Sequence, residues 1–403
     1  MTSGPGPHPD RDLRAGGDRM HVAIDAHPVA NDHAHHGIGR TTRQLLQALD
    51  RLRDSPLPRE LWYYLRGGAW QHPVEWTRIR LRLLGDKESI WAAAVSDGAE
   101  LLHINDYFFP LYEPEREFSG QANPLRLLVT VRDIIPLHYP DLKPRGLARL
   151  RRNLFPLLGL ADHVIAISHW TKLDLMTHLN VPETKITVIH HGVDHEVFHS
   201  RYPAPDIAAT RRRYGLPASY ILYVAGMDIR KNHRLLIDAF HYLNRGSASG
   251  RGLALVGPGR ATDAIRNQVT QRRLQGMVHF LGEVPLRDLA RLYAGADLFA
   301  FPSVYEGFGN PLLEAMASGA PVVALKRSSV PEIAGDAVLL VEDNDYAAFG
   351  QAMARVLADP GLAETLRRKG QVRAAEFTWE KTARLTLETY RRLLELTSTT
   401  TSS

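Results

Sequence analysis

"DLFAFPSVYEGFGNPLLEAMASGAPVVAL", residues 297–325, carries three pieces of local structure in one stretch. "DLFAFPS" (297–303) and "PVVAL" (321–325) are short apolar runs, the pattern of strands buried on both faces. Between them lies a Gly-Phe-Gly turn and a short helix, with Asn310 suited to the N-cap, Pro311 to the first helical position and Gly319 to the stop. Strand, crossover helix and strand make a parallel α/β unit, and the turn sits at a strand's carboxyl end, where such sheets bind ligands. The helix N-terminus faces Gly307, Phe308 and Gly309 with free N–H groups and a positive dipole end, so an anion should bind there. Glu314 is the fourth residue from Pro311, one beyond the capping-box position, and its side chain leans back toward the helix start. A carboxylate accepts hydrogen bonds in pairs, so Glu314 could hold the two hydroxyls of a ribose and Glu306 those of a second sugar. The competing reading of either acid alone is a solvated surface carboxylate.

The alternation extends in both directions. "HVAIDAH", "LWYYLRG", "LLHIND", "RLLVTVRD", "HVIAIS" and "ITVIHHG" form one series of predicted strands. "YILYVAG", "LALVG", "VHFLGEV", "LFAFPS", "PVVAL" and "AVLLVE" form a second, after a polar, Pro-containing stretch near 194–218. The chain therefore reads as two doubly wound, Rossmann-like α/β domains facing each other across a cleft. The expected boundaries are a disordered N-terminus over 1–19, a first domain over 20–205, a second over 206–376, a helix over 377–396 crossing back to the first domain, and a disordered tail over 397–403.

The 403 residues allow two substantial cores, and the 44% hydrophobic content is ordinary for a globular protein. No apolar run approaches the roughly 18 residues of a spanning helix, and residues 1–19 lack a secretory segment, so the expected location is the cytoplasm. With no cysteine, disulfides, thiolate catalysis and Cys-ligated metals are excluded. The net charge of +5 rests on 41 arginines against 8 lysines and suits an anionic small molecule or an acidic membrane surface. No helix-turn-helix, aromatic RNA-binding or zinc-finger pattern is present, so no nucleic-acid partner is expected. "RGLARLRRNLFPLL" (145–158) sets Arg145, Arg149 and Arg152 on one helical face and Leu147, Leu150 and Leu154 on another. Either the leucines pack into the lobe, or the helix docks peripherally on the anionic inner membrane face.

A second anion site follows "YILYVAG", where Arg230 and Lys231 lie in the loop before the helix "RLLIDAFHYL". Adjacent cations at a strand's carboxyl end suit a diphosphate, because charge-assisted hydrogen bonds to phosphate are about twice as strong as neutral ones. Asp343-Asn344-Asp345 has the D-x-D form of a Mg²⁺ site but lies in an acidic loop after a predicted strand, and His33, His35 and His36 lack a fixed ligand spacing. Neither is taken as a metal site.

With "YEGFGNPLLEAMASGAPVVA", "AGMDIRKN" and "SSVPEIAGDAVLLV" in place, the chain resembles family 4 of the retaining nucleotide-sugar glycosyltransferases, of two-lobed GT-B fold, and within it the bacterial mannosyltransferase-like members. The resemblance covers nearly the whole chain, and its most specific motif is the E-x7-E pair Glu306 and Glu314. It implies a hexosyltransferase that moves a sugar, with GDP-mannose the best guess, to a hydroxyl of a glycan, glycolipid or small natural product. The implied mechanism is metal-independent front-face attack, without cofactor. By the same resemblance Glu306, Arg230, Lys231 and Asp133 are catalytic. Glu314, the amides of Gly307, Phe308, Gly309, Asn310, Pro311 and Leu312, and Gly226, Gly257 and Phe280 bind the donor. Gly37 and Gly39 in "HHGIGRTTRQLL" match the glycine-rich loop expected before the first helix. Arg132, His103, His138 and Asn105 are the acceptor-side candidates. Arg132-Asp133 stands where many relatives carry His-Asp, and an arginine cannot act as a neutral donor or base near pH 7. The alternatives are a GT-B sugar-nucleotide 2-epimerase, against which the E-x7-E spacing argues, and a catalytically silent binding protein.

Overall fold

The structure, a computed structural model, describes residues 21–29, 37–52, 60–66, 79–85, 88–105, 125–142, 144–245 and 250–400. Strands β1 (His21–Asp25), β2 (Glu60–Arg66), β3 (Ile79–Leu84), β4 (Leu101–Ile104), β5 (Arg126–Val131), β6 (His163–Ala166) and β7 (Ile186–Val188) form a parallel sheet of order β3-β2-β1-β4-β5-β6-β7. A second parallel sheet has the order β10-β9-β8-β11-β12-β13. It is built from β8 (Tyr220–Val224), β9 (Gly252–Val256), β10 (Val278–Gly282), β11 (Leu298–Phe301), β12 (Val322–Leu325) and β13 (Leu339–Val341). In each sheet the strand order reverses once, between β1 and β4 and between β8 and β11, and the carboxyl ends at those points are the natural ligand positions.

The predicted strands are all present, because strands covered by helices on both faces read as continuous apolar runs. In β1, Val22 and Ile24 face one core layer and Ala23 the other, as the two-residue strand period requires. The strand β3, "IRLRLL", was not expected. It is the edge strand, where Arg80, Leu81 and Leu83 are exposed and alternating Arg and Leu masks the apolar signal.

Two expected boundaries move. The division at 206 falls inside the Ala204–Arg213 helix, which docks on the second lobe through Arg213 to Asp288 (2.9 Å) and Tyr214 Oη to Asp288 (2.8 Å). The last helix runs Trp379–Thr400, four residues past the expected end, since no glycine or proline stops it in "ELTSTT". The N-terminal segment 1–19 and the histidines of 30–36 lie outside the described residues.

The last helix packs on the first lobe. Trp379, Ala383, Leu387, Tyr390 and Leu393 join Leu45, Leu46 and Leu49 of the Gly37–Arg51 helix and Ile24 of β1 in one buried cluster. Where the chain recrosses, Val193 N–H donates to Phe377 O (3.1 Å), and a Cβ on Gly192 would stand 2.2 Å from Trp379 N. No side chain fits there. Gly192→Ala is expected to destabilise the protein by about 2–3 kcal/mol in urea titration, while Gly37→Ala, whose Cβ would meet open space, stays within about 0.5 kcal/mol.

In the 145–158 segment Leu150 and Leu154 are fully buried and Leu147 half-buried, while Arg145, Arg149 and Arg152 are exposed. The leucines pack into the lobe. Among the described residues, no helix is long and apolar enough to cross a membrane.

Candidate functional site

The carboxyl ends of β8 and β11 converge on one acidic–basic cluster. After β8 the chain forms a single helical turn, Ile229–Lys231, and Asn232, with φ +57°, redirects it into the His233–Leu243 helix. Val304 N–H donates to Arg230 O (2.9 Å) and Tyr223 Oη to Lys231 O (2.6 Å), which fixes this turn against the one after β11. Lys231 Nζ lies 2.5 Å from Glu306 Oε1, and Arg230 Nη1 lies 3.5 Å from Oε2. Arg230 also reaches Asp228 (3.1 Å) and Tyr305 O (3.1 Å). Burial pushes the Glu306 carboxyl up, but Lys231 and Arg230 outweigh it and hold the group below the usual range. Asp133, brought close by the first lobe, is held above its ordinary value by burial, only partly offset by the Ile135 N–H and Arg230.

The turn itself is held rigidly. Glu306 N–H donates to Ser328 Oγ (2.8 Å), and Ser329 Oγ donates to both Glu306 O and Phe308 O (3.0 Å each). Gly307 lies against the first lobe: its carbonyl accepts from Ser168 Oγ (2.6 Å), and an added Cβ would stand 2.1 Å from Arg132 O. Gly309 adopts φ +98° and itself caps the Asn310–Ala317 helix, so Asn310 is the first helical residue rather than the cap. Left-handed backbone is open to glycine, and it starts the helix one residue early. Asn310 Oδ1 instead lies 3.4 Å from His191 Nδ1. The Leu312 amide donates to Gly309 O (3.0 Å) and is not free for a ligand, whereas Pro311 has no N–H to offer. Phe308 is buried against His191 and Phe377.

Glu314 is buried, accepts from Tyr293 Oη (3.1 Å) and is ion-paired with Arg40 of the Gly37–Arg51 helix. Burial raises its pKa, with Arg40 and Tyr293 opposing. The pair brings residues 274 positions apart together across the lobes, and about 10 Å³ of free volume remains between Arg40, Asn310 and Glu314. Arg40 was not among the sequence candidates; its signal was a cation one residue after Gly39 in the first helix. Gly37 and Gly39 lie inside that helix's first turn, not before it. Two more interlobe residues were missed. Glu332 accepts from the His169 and Trp170 N–H groups (2.8 and 3.2 Å) and pairs with His190 (2.6 Å), and Tyr305 Oη donates to Asp174.

The acceptor-side candidates separate. Arg132 turns into its own lobe, donating to Thr41 and Thr42 (2.8 Å to the latter) at the start of the first helix. A guanidinium with two hydroxyls and the Asn105 carbonyl (3.5 Å) to hand is oriented by them. His103 is fully buried, with Nδ1 2.7 Å from Tyr390 Oη and Nε2 2.7 Å from Thr130 Oγ1. Burial and Arg132 push it down to about 3, which makes it a neutral core residue rather than an acceptor contact. Asn105 is likewise buried, donating to Asp25 O (3.3 Å) where the first sheet's order reverses. His138 remains at the lobe boundary, its ring 4.9 Å from that of Tyr305. The aromatic stretch 106–113 lies outside the described residues.

In the second lobe, Gly257 (φ +143°) lets β9 pass the end of β8, where a Cβ would stand 2.2 Å from Ala225 O. Gly226 sits beside Pro258, and Phe280 in β10 is half-buried under the Arg266 guanidinium, 5.2 Å from the ring centre. Asp345 caps the Tyr346–Ala358 helix through the Ala348 N–H (2.8 Å), and Asn344 accepts from Asn232 (2.8 Å). Asn344 and Asp345 of the D-x-D triplet are thus engaged in local structure.

Two facing Rossmann-like sheets with this cluster at the second sheet's reversal point define a GT-B glycosyltransferase. Residues 208–373 match the family described as glycosyl transferases group 1, and residues 35–197 match glycosyltransferase family 4. The O-antigen chain mannosyltransferase B of Escherichia coli is 29% identical over 314 residues, covering 77% of this chain and 79% of that protein. The serotype-specific mannosyltransferase WbdA of E. coli is 27% identical over 68% of this chain, which spans only 34% of that longer protein. The structure of sucrose-phosphate synthase from Thermosynechococcus elongatus superposes with a TM-score of 0.74 at 25% identity, over 94% of this chain and 100% of the other. Anabaena HepE, in complex with UDP and glucose, shares the fold at a TM-score of 0.70 and 20% identity, over 92% of this chain and 99% of the other. The chain belongs to glycosyltransferase family 4 and has mannosyltransferase relatives.

Proposed function

We propose that this glycosyltransferase moves mannose from GDP-mannose, with retention of anomeric configuration, to a hydroxyl of a glycan, glycolipid or small natural product. The observation that carries the reading is the placement of Arg230 and Lys231 beside Glu306, next to the helix that presents Glu314. Breaking the bond to the diphosphate places negative charge on the leaving group, and pre-positioned cations at that point can each contribute about 3 kcal/mol to the transition state. Arg230, Lys231 and the helix N-terminus supply this without a metal or cofactor. Glu306, kept ionised by the two cations, would hold donor-sugar hydroxyls, and Asp133 would add negative charge near the developing positive anomeric carbon. The acceptor proton would leave with the diphosphate after front-face attack. Glu314 would hold the ribose hydroxyls once Arg40 has been displaced from it. The printed names of the mannosyltransferase relatives support mannose as the sugar.

A thermal-shift panel of GDP, UDP, dTDP and ADP, followed by turnover of the matching sugar donor with an acceptor, tests this. At about a hundred times its dissociation constant the cognate diphosphate should add about 2.7 kcal/mol of stability. The anomeric proton of the product, read by NMR, should match the donor's configuration. Preference for UDP overturns the GDP-mannose reading, an inverted product overturns retention, and conversion of the donor without an acceptor favours the epimerase.

A further inference from the structure

The first lobe gathers three metal-ligating side chains to which the proposed transfer mechanism gives no step. His138 ends the Ile135–His138 turn after β5, while Asp174 and His178 lie one turn apart on the His169–Leu179 helix. A spacing of four residues puts Asp174 and His178 on one helical face. His138 Nε2 is 3.3 Å from Asp174 Oδ2, and His178 Nε2 is 3.9 Å from Oδ1. The two imidazole rings meet edge to face with centres 4.8 Å apart, and one ligating atom from each of the three residues lies within 4.8 Å of the others.

Zinc bonded to two imidazole nitrogens and a carboxylate oxygen at about 2.0–2.1 Å in tetrahedral geometry requires ligand atoms about 3.3 Å apart. One pair already has that spacing. The other two pairs both involve His178, which starts within 4.8 Å of both partners and whose side chain, 41% exposed, can rotate to close them. Asp174 is buried, and Tyr305 Oη donates to its Oδ2, the kind of hydrogen bond that fixes a ligating carboxylate. A second group, His169, His190 and Glu332, is less suited, because the Glu332 oxygens already accept from two backbone N–H groups and His190.

We propose that His138, Asp174 and His178 bind one zinc ion at the lobe boundary, with the fourth position open to solvent. Imidazole and carboxylate ligands in this number suit zinc among the divalent ions. The ion would join the segment after β5, which carries Asp133, to the helix that receives Tyr305 from the catalytic turn. Its role is to brace that wall of the cleft, separate from the donor site.

Titration of the chelator-treated full chain with zinc chloride in a calorimeter tests the site, with cobalt chloride as the optical probe. Wild type should bind one ion per chain with micromolar affinity, and cobalt should give the intense visible bands of a four-coordinate site. His138→Ala and His178→Ala should each weaken binding at least tenfold, while His169→Ala leaves it unchanged. Far-ultraviolet circular dichroism and the thermal transition of each metal-free variant establish that it is folded. The proposal is overturned if wild type takes up no zinc, if both variants bind as wild type does, or if His169→Ala abolishes binding instead.

Discussion

Lys231→Ala is expected to lower kcat/KM by about a thousandfold, or about 4 kcal/mol of transition-state stabilisation. The ammonium lies 2.5 Å from Glu306 with its side chain only 12% exposed, so any charge that develops beside it is felt through a weakly screening interior. Loss of the cation acts twice. It removes a partner of the departing diphosphate, and it strips Glu306 of the nearest group that holds its carboxyl below the usual range. Arg230 is left 3.5 Å away and does not replace it. Lys231→Arg keeps the charge but not the compact ammonium, and should recover only part of the loss. Steady-state kinetics with the cognate donor, on protein whose thermal transition matches wild type, reads the effect. A kcat/KM within a few-fold of wild type for Lys231→Ala would remove Lys231 from the reaction.

Glu314→Ala is expected to weaken binding of the cognate nucleoside diphosphate about a hundredfold, some 2–3 kcal/mol. Two ribose hydroxyls donating to an ionised carboxylate can contribute about 1.5–3 kcal/mol each. Part of that is already committed in the free protein, where Arg40 pairs with Glu314 and must be displaced. The same competition gives Arg40 substitutions the opposite sign. Arg40→Ala should tighten nucleotide binding several-fold, since among the described residues the carboxylate then keeps only Tyr293 as its side-chain donor at 3.1 Å. Isothermal titration of the two variants with the same nucleotide compares them directly. If both bind it as wild type does, Glu314 is not the ribose site.

The architecture was legible because each parallel strand, from "HVAIDAH" to "AVLLVE", is an apolar run bounded by turn residues. The edge strand β3 was not, since its alternating arginines break up the continuous apolar run by which the other strands are read. Within the site, the clustering of Glu306 with Arg230 and Lys231 could be inferred from positions close to strand ends. The contact of Arg40 with Glu314 could not, because nothing local in a sequence couples residues that meet only when two lobes close. His103 shows the opposite failure: at a strand's end it looks like a cleft residue, and only Tyr390 from the last helix reveals that it is enclosed. Asn310 illustrates a finer limit, as the φ of Gly309 decided which of two adjacent residues opened the helix.

The placement of the Trp379–Thr400 helix also bears on how the molecule is made. The first lobe's last strand ends at Val188, yet one face of that lobe stays uncovered until Tyr390 and Leu393 have left the ribosome, some two hundred residues later. At about 5–20 residues per second that interval is roughly 10–40 s, during which Leu45, Leu46 and Leu49 have no partner from the last helix. The half made first is completed last, so a premature stop near residue 378 would damage the lobe furthest from it in the chain.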